Sequence, residues 1–228
     1  MNKLFTKSTV LALVLLFSIF KVSAQSNLAP TAANLFCEGA SMVLPAAPLG
    51  NAWILRYSEN QSITPTTTII MADGKTVAPA DMKTGYYYLS SKSTAAGSCE
   101  SDMQEIPVYV LKPLVPTFTA LDFCVESPLA QVGNVTNPDS KIPSLAYQWY
   151  MVTSSGETAI SGATNLSYTP SAPISVGITK YRLKVGYLIN GNKYCAQWVD
   201  HDVTVTAKPT KPTITPSQIS GTASAVTF

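Results

Sequence analysis

Four cysteines, a single histidine between two aspartates, and a run of three tyrosines are the residues here whose types could do chemistry. Cys37, Cys99, Cys124 and Cys195 are an even set of widely spaced thiols, with no C-x-x-C pair among them. With His201 as the only histidine, no ordinary zinc ligand set can be assembled. In an exported chain such a set reads as disulfides. Three pairings are open to four cysteines. Because each half of the chain holds its own two, Cys37–Cys99 and Cys124–Cys195 are the expected bridges. Each would close a loop of roughly 60 to 70 residues and contribute about 2–4 kcal/mol by constraining the unfolded chain.

His201 sits in Asp200-His201-Asp202, a sequence that could hold a metal or carry a general base. On a strand, however, alternation puts both aspartates on one face and the histidine on the other, so a solvated strand is expected. Nucleophilic chemistry needs a base beside a serine or cysteine; no Gly-x-Ser-x-Gly elbow occurs and the cysteines are claimed by bridges. Of the thirteen acids, Asp73, Asp139 and Glu157 fall in turn-like segments. The expectation is a protein that is not an enzyme and that takes no cofactor and no metal. Tyr86 and Tyr88 are the better candidates for binding. Aligning Tyr87 with Tyr181 and Leu89 with Leu183 sends them outward, as an apolar platform for a sugar ring or a partner protein.

The elements that must position these residues are strands. Leu145 to Met151 reads Leu-Ala-Tyr-Gln-Trp-Tyr-Met, with Tyr147, Trp149 and Met151 on one face, a period of two that marks a half-buried strand. Ala52 to Ser58 repeats the pattern around Trp53. Gly85 to Ser91, Ile106 to Leu111 and Lys180 to Ile189 are further strands, the last with Tyr181, Leu183 and Val185 inward and Arg182 and Lys184 outward. Asp73-Gly74 and Asn190-Gly191 are tight hairpin turns, while Glu157 to Asn165 holds a polar turn at Ser161-Gly162. Beyond the N-terminal segment no stretch has helical periodicity. Cysteine, tryptophan strand and cysteine in that order is the skeleton of an immunoglobulin-like sandwich, and it occurs twice. Trp53 and Trp149 are then core aromatics. The fold class is all-β, two tandem immunoglobulin-like β-sandwiches after a cleaved signal peptide, with domains at 25–112 and 113–208.

The first 24 residues carry Lys3 and Lys7, an apolar run from Val10 to Phe20 and small residues before Gln25. This is the order of a secretory signal peptide; the run is short of the roughly 20 residues that span a bilayer. Its removal takes three lysines and no acid, so fifteen basic against thirteen acidic residues become twelve against thirteen. A near-neutral mature chain lacks the footprint of a nucleic-acid binder, and no membrane span is expected after cleavage.

Cys37-Glu38-Gly39, Trp53, Tyr87-Tyr88-Leu89-Ser90 and Gly97-Ser98-Cys99-Glu100-Ser101 resemble the immunoglobulin-like repeats of Bacteroidetes surface proteins. Tyr147-Gln148-Trp149-Tyr150, Ile160-Ser161-Gly162-Ala163-Thr164 and Tyr168-Thr169-Pro170 are similar to the same group. The resemblance implies an exported protein of a kind often found in large adhesins or polymer-binding proteins. Pro212-Thr213-Ile214 echoes Pro116-Thr117-Phe118, so residues 209–228 read as a tail or the start of a truncated third repeat. The expected function is a non-catalytic, secreted or cell-surface module for adhesion or structural display, with an unknown protein or glycan partner. The alternatives are a carbohydrate-binding accessory of a polysaccharide-degrading system, or a spacer stalk within a larger adhesin.

Overall fold

The computed structural model describes residues 28–171, 174–213 and 221. The expected signal peptide at 1–24 and most of the tail at 209–228 lie outside the described residues. The chain divides between Lys112 and Pro113 into two compact units, and each is built as an immunoglobulin-like β-sandwich.

Unit 1 contains β1 (Asn34–Cys37), β2 (Met42–Val43), β3 (Asn51–Ser58), β4 (Thr67–Ile69), β5 (Thr76–Val77), β6 (Gly85–Ser93) and β7 (Gln104–Leu111). One sheet runs β1-β7-β6-β3-β4 and faces the β2-β5 pair. All neighbours are antiparallel except β1, which lies parallel to β7. Alternation delivers Leu55, Tyr87, Leu89 and Val108 to one face, where Met42, Leu44, Val77 and Met82 close over them. The expected hairpin at Asp73-Gly74 is not one, because β4 pairs with β3 and β5 with β2. The turn carries the chain between sheets. Asp73 fastens it by accepting hydrogen bonds from the Lys75 and Thr76 amides and the Thr76 hydroxyl.

Unit 2 contains β8 (Val115–Thr119), β9 (Phe123–Cys124), β10 (Gln131–Thr136), β11 (Leu145–Thr153), β12 (Gly156–Ala159), β13 (Ser167–Tyr168), β14 (Gly177–Ile189) and β15 (Asn192–Thr206). Its sheets run β13-β10-β8 and β12-β11-β14-β15-β9, the last pair again parallel. Glu157 therefore belongs to an edge strand rather than to a turn; with all four residues of β12 exposed, it leaves no apolar alternation to read. Trp149, wholly buried, pairs across the sheet with Leu183, takes the edge of Phe118 at 4.9 Å and donates its indole N–H to the Asn165 carbonyl at 3.0 Å. Trp53 is only partly buried and donates to the Pro45 carbonyl at 2.8 Å. The central pair of unit 1 is Leu55 with Leu89, one pleat away from Trp53. Met151, expected inside, is exposed.

Two buried polar or small residues fix how the sheets of unit 2 meet. Gln131 is fully buried; its amide accepts from the Leu121 N–H and donates to the Leu121 and Leu129 carbonyls at 3.0–3.1 Å, tying the crossing chain between β8 and β9 to the core. At Gly133 a Cβ would stand 2.4 Å from the Leu166 carbonyl oxygen, so only glycine admits this approach.

Candidate recognition surface

The β14–β15 hairpin turns at Asn190-Gly191 with Ile189 opposite Asn192. Counted back without interruption, that register would place Trp198 across from Leu183 and inside the sandwich. It does not hold. Tyr187 pairs with Tyr194, but Val185 pairs with Gln197, so Cys195 and Ala196 together oppose Gly186. This is a β-bulge, with Cys195 at φ +50° and Gly186 leaving room for the Tyr194 carbonyl, which would lie 3.0 Å from a Cβ there. A one-residue slip moves every later side chain to the other face. Trp198 accordingly faces solvent at 54% exposure, opposite Lys184.

Two cross-strand rows meet on that outer face. In the first, Tyr150, Arg182 and Asp200 are consecutive partners. The Arg182 guanidinium grips both Asp200 oxygens, Nε to Oδ1 at 2.6 Å and Nη2 to Oδ2 at 2.7 Å, and donates to Glu157 at 2.8 Å. In the second row Gln148, Lys184 and Trp198 are partners. Lys184 Nζ donates to Glu157 at 2.6 Å and stands 4.7 Å from the Tyr150 ring centre. The Arg182 Cζ is 5.4 Å, and Lys184 Nζ 6.0 Å, from the Trp198 ring centre. Lys184 and Arg182 hold the Glu157 carboxyl below its usual range; Arg182 does the same for Asp200, and its own proton is bound more tightly in return. The indole thus lies against a lattice of paired charges, and a hollow of about 70 Å³ in the same sheet is lined by Gln148, Tyr150, Lys184 and Gly186 among others. Such a face can present an exposed aromatic edge and matched charges to a surface.

The tyrosine platform expected in unit 1 is not there. Tyr86 and Tyr88 do lie on the face opposite Tyr87, but Tyr88 is only 4% exposed, and the Ser62 amide donates to its hydroxyl at 2.7 Å. A covering loop, invisible to strand alternation, has taken the place of solvent. Asp200-His201-Asp202 splits as alternation requires: Asp200 goes to Arg182, Asp202 reaches Lys180 at 3.7 Å, and the His201 ring meets Phe118 edge-on at 4.7 Å. Among the described residues no group of three or more His, Cys, Asp or Glu could hold a metal ion.

Neither expected bridge forms. Cys37 and Cys195 are disulfide-bonded, whereas Cys99 and Cys124 are free thiols. Strand register gives the reason. Cys37 lies opposite Leu111, three residues past the Val108–Gly85 pair, while Cys99 adjoins the Glu100–Lys92 bridge, seven residues beyond Gly85 the other way. At roughly 3.3 Å per residue they stand on the order of 30 Å apart, far beyond the roughly 7 Å that a disulfide tolerates between Cα atoms. Likewise Cys124 lies opposite Thr206, and Cys195 precedes Thr206 by eleven residues on β15, about 35 Å of strand. Chain halves were a poor guide because each unit carries its two cysteines at opposite ends.

No family model matches the chain, and comparison with curated proteins gives no match. Among solved structures it is similar to the fibronectin(III)-like modules of Clostridium thermocellum CbhA, at 15% identity over 78% of this chain and 92% of that one, with a TM-score of 0.37. Extracellular domains 3–5 of Drosophila OTK give 13% identity, 78% and 59% coverage and 0.38. The N-terminal four Ig domains of Dscam1 isoform 1.9 give 12%, 82% and 45%, and 0.32, so the chain spans under half of that structure. These likenesses are too distant to bear on function.

Proposed function

We propose that this protein is an exported, non-catalytic recognition module that binds a folded protein partner at the cell surface through the outer face of unit 2. The observation that carries this reading is the exposed Trp198, flanked by the Arg182 and Lys184 cations, the second of which also lies over Tyr150. Tryptophan, tyrosine and arginine are the residues that dominate the energetics of protein interfaces, and a pre-ordered aromatic loses little entropy on binding. Cations and carboxylates alternate across the face and are already paired, so it favours a partner of mixed charge over a nucleic acid or an anionic membrane. Export is supported by the signal-like order of the first 24 residues and by the disulfide state of Cys37 and Cys195, which suits an oxidising compartment. In addition, no helix among the described residues is long and apolar enough to cross a membrane.

The test is an adhesion assay with cells displaying either the natural protein or Trp198→Ala. A loss of about tenfold or more in attachment, with an unchanged melting temperature, is the expected result. Equal attachment by both would leave the spacer-stalk alternative standing. A glycan array on the natural protein separates the carbohydrate-binding alternative, since strong saturable glycan signals that Trp198→Ala abolishes would replace the protein-partner reading.

A further inference from the structure

β15 is fifteen residues long, and its two sides are treated very differently. On one side β14 pairs with it from Asn192 to Val205. On the other, β9 reaches only Val205 and Thr206. Along a regular strand, alternate residues turn their main-chain groups the same way. The Thr204 amide donates to the Asp122 carboxylate at 2.6 Å, and the Thr206 carbonyl accepts from the Val125 amide at 3.0 Å. Even-numbered residues therefore aim their main-chain groups away from β14. That row continues through Asp202, Asp200 and Trp198 as far as the bulge, and among the described residues no main-chain group pairs with it. The opposite sheet leaves this edge open as well. Val199 and His201 lie opposite the buried Leu183 and Tyr181, yet Val199 is only partly buried and His201 is exposed.

The matching edge of unit 1 is closed. There β1 runs beside β7 from Val108 to Leu111. Pro107 has no N–H to offer, and its carbonyl is capped by the Asn34 side-chain amide at 3.0 Å. A covering strand and a proline are common ways of closing an edge. β15 contains no proline. What it sets along the open row is acid: Asp200, and Asp202, whose side chain is 59% exposed and is held only by Lys180 at 3.7 Å. We infer that a partner protein adds an extended segment to β15 as a further antiparallel strand, with basic side chains beside Asp200 and Asp202 and an aromatic one beside Trp198. Main-chain hydrogen bonds supply the attachment and alternate side chains the selection. Opposite charges and aromatic pairs stabilise neighbouring strands, and like charges oppose them. A second copy whose β15 covered the whole row would set Asp200 against its own counterpart, whereas a basic segment sets a cation beside each carboxylate. The residues between the basic ones turn inward, where apolar side chains cover Val199 and His201. The inference rests on the reading of this face as a protein-binding surface and adds how the partner attaches.

The test uses the full chain and the synthetic peptide acetyl-Thr-Lys-Val-Lys-Val-Tyr-Thr-amide. In the antiparallel register its lysines face Asp202 and Asp200 and its tyrosine faces Trp198. Binding should be saturable and should slow amide hydrogen exchange at Trp198, Asp200 and Asp202 by about tenfold or more. Both effects should vanish when the lysine facing Asp200 is N-methylated, which removes a main-chain donor and leaves the charge. Asp202→Lys should weaken the peptide by about tenfold and favour a version with glutamate at the facing position. Four results would overturn the inference. One is no binding. Another is binding that survives N-methylation or leaves the three amides exchanging freely. A third is an Asp202→Lys variant that treats both peptides as the natural protein does. The last is amides already protected without peptide, at every concentration if this chain closes its own edge or only at high concentration if a second copy does. The natural protein with the parent and N-methylated peptides decides the matter even where Asp202→Lys fails to fold. Cell attachment that needs Trp198 while the peptide fails sinks strand addition alone; a peptide that protects the row while attachment ignores Trp198 sinks the recognition reading alone.

Discussion

Trp198 pairs across the sheet with Lys184 rather than with Leu183, and that offset of one residue puts the largest side chain of β15 in water. The cause is local: Cys195 and Ala196 share the place opposite Gly186. Gly186→Val would press a branched side chain against the Tyr194 carbonyl, already at 3.0 Å from where a Cβ would lie. Strain of this kind costs about 1–3 kcal/mol. The expected outcome is a lower melting temperature together with a shift in tryptophan emission as the hairpin register is disturbed; unchanged values for both would show that the bulge does not depend on this glycine.

Arg182 organises the surface, since it holds Asp200 through two hydrogen bonds and Glu157 through a third. Arg182→Lys keeps the charge but cannot make the two-pronged grip. It should reduce partner binding nearly as far as Arg182→Met does, with stability falling by about 1 kcal/mol or less because the pairs are partly solvated. Binding by Arg182→Lys equal to that of the natural protein would show that charge alone suffices.

Gln131 is a buried amide whose three hydrogen bonds all go to main-chain groups of Leu121 and Leu129. Gln131→Leu fills a similar volume but leaves those groups without partners, at about 1–3 kcal/mol for each buried one. Urea denaturation should show a loss of about 2–4 kcal/mol. A more stable variant would mean that the amide is replaceable by packing.

The two limbs of the pH–stability curve have separate origins. Hydrogen bonds from Arg56 and Ser90 hold Glu100 at about 2, below its ordinary 4.5, so between those values the unfolded chain binds more protons than the folded one. The stabilisation is complete above pH 4.5 and is lost as pH falls toward 2. Glu157 and Asp200, lowered by Lys184 and Arg182, act in the same direction. Burial raises Tyr57 and Tyr187 from 10.0 to about 12; the folded protein keeps protons there that the unfolded chain releases, so stability declines as pH rises from 10 toward 12. Melting temperatures across pH should fall on both sides, with Arg56→Met flattening the acid limb and Tyr57→Phe the alkaline one. A variant whose limb matches the natural protein's would contradict the assignment.

How much of this was legible in the sequence depended on whether alternation ran undisturbed. The Tyr181–Leu183–Val185 face and the Trp149 strand could be read directly, because period-two patterning survives wherever one face is buried. Asp200 and His201 separated as strand geometry dictates. What escaped were departures from regularity: the bulge that turned Trp198 outward, the loop that covers Tyr88, and the wholly polar edge strand β12. Gly186 inside an apolar strand was the one available signal of the bulge. The cysteine pairing escaped because proximity in sequence says nothing about which end of a sandwich a residue occupies.

Oxidative footprinting read by mass spectrometry tests the central claim, that Trp198 is a solvent-facing contact residue. In the isolated protein Trp198 should oxidise fastest, Trp53 more slowly and Trp149 hardly at all, and attachment to target cells should slow oxidation at Trp198 by several fold while leaving Trp53 unchanged. A Trp198 that is protected in the isolated protein, or that oxidises equally with and without attachment, would contradict the account.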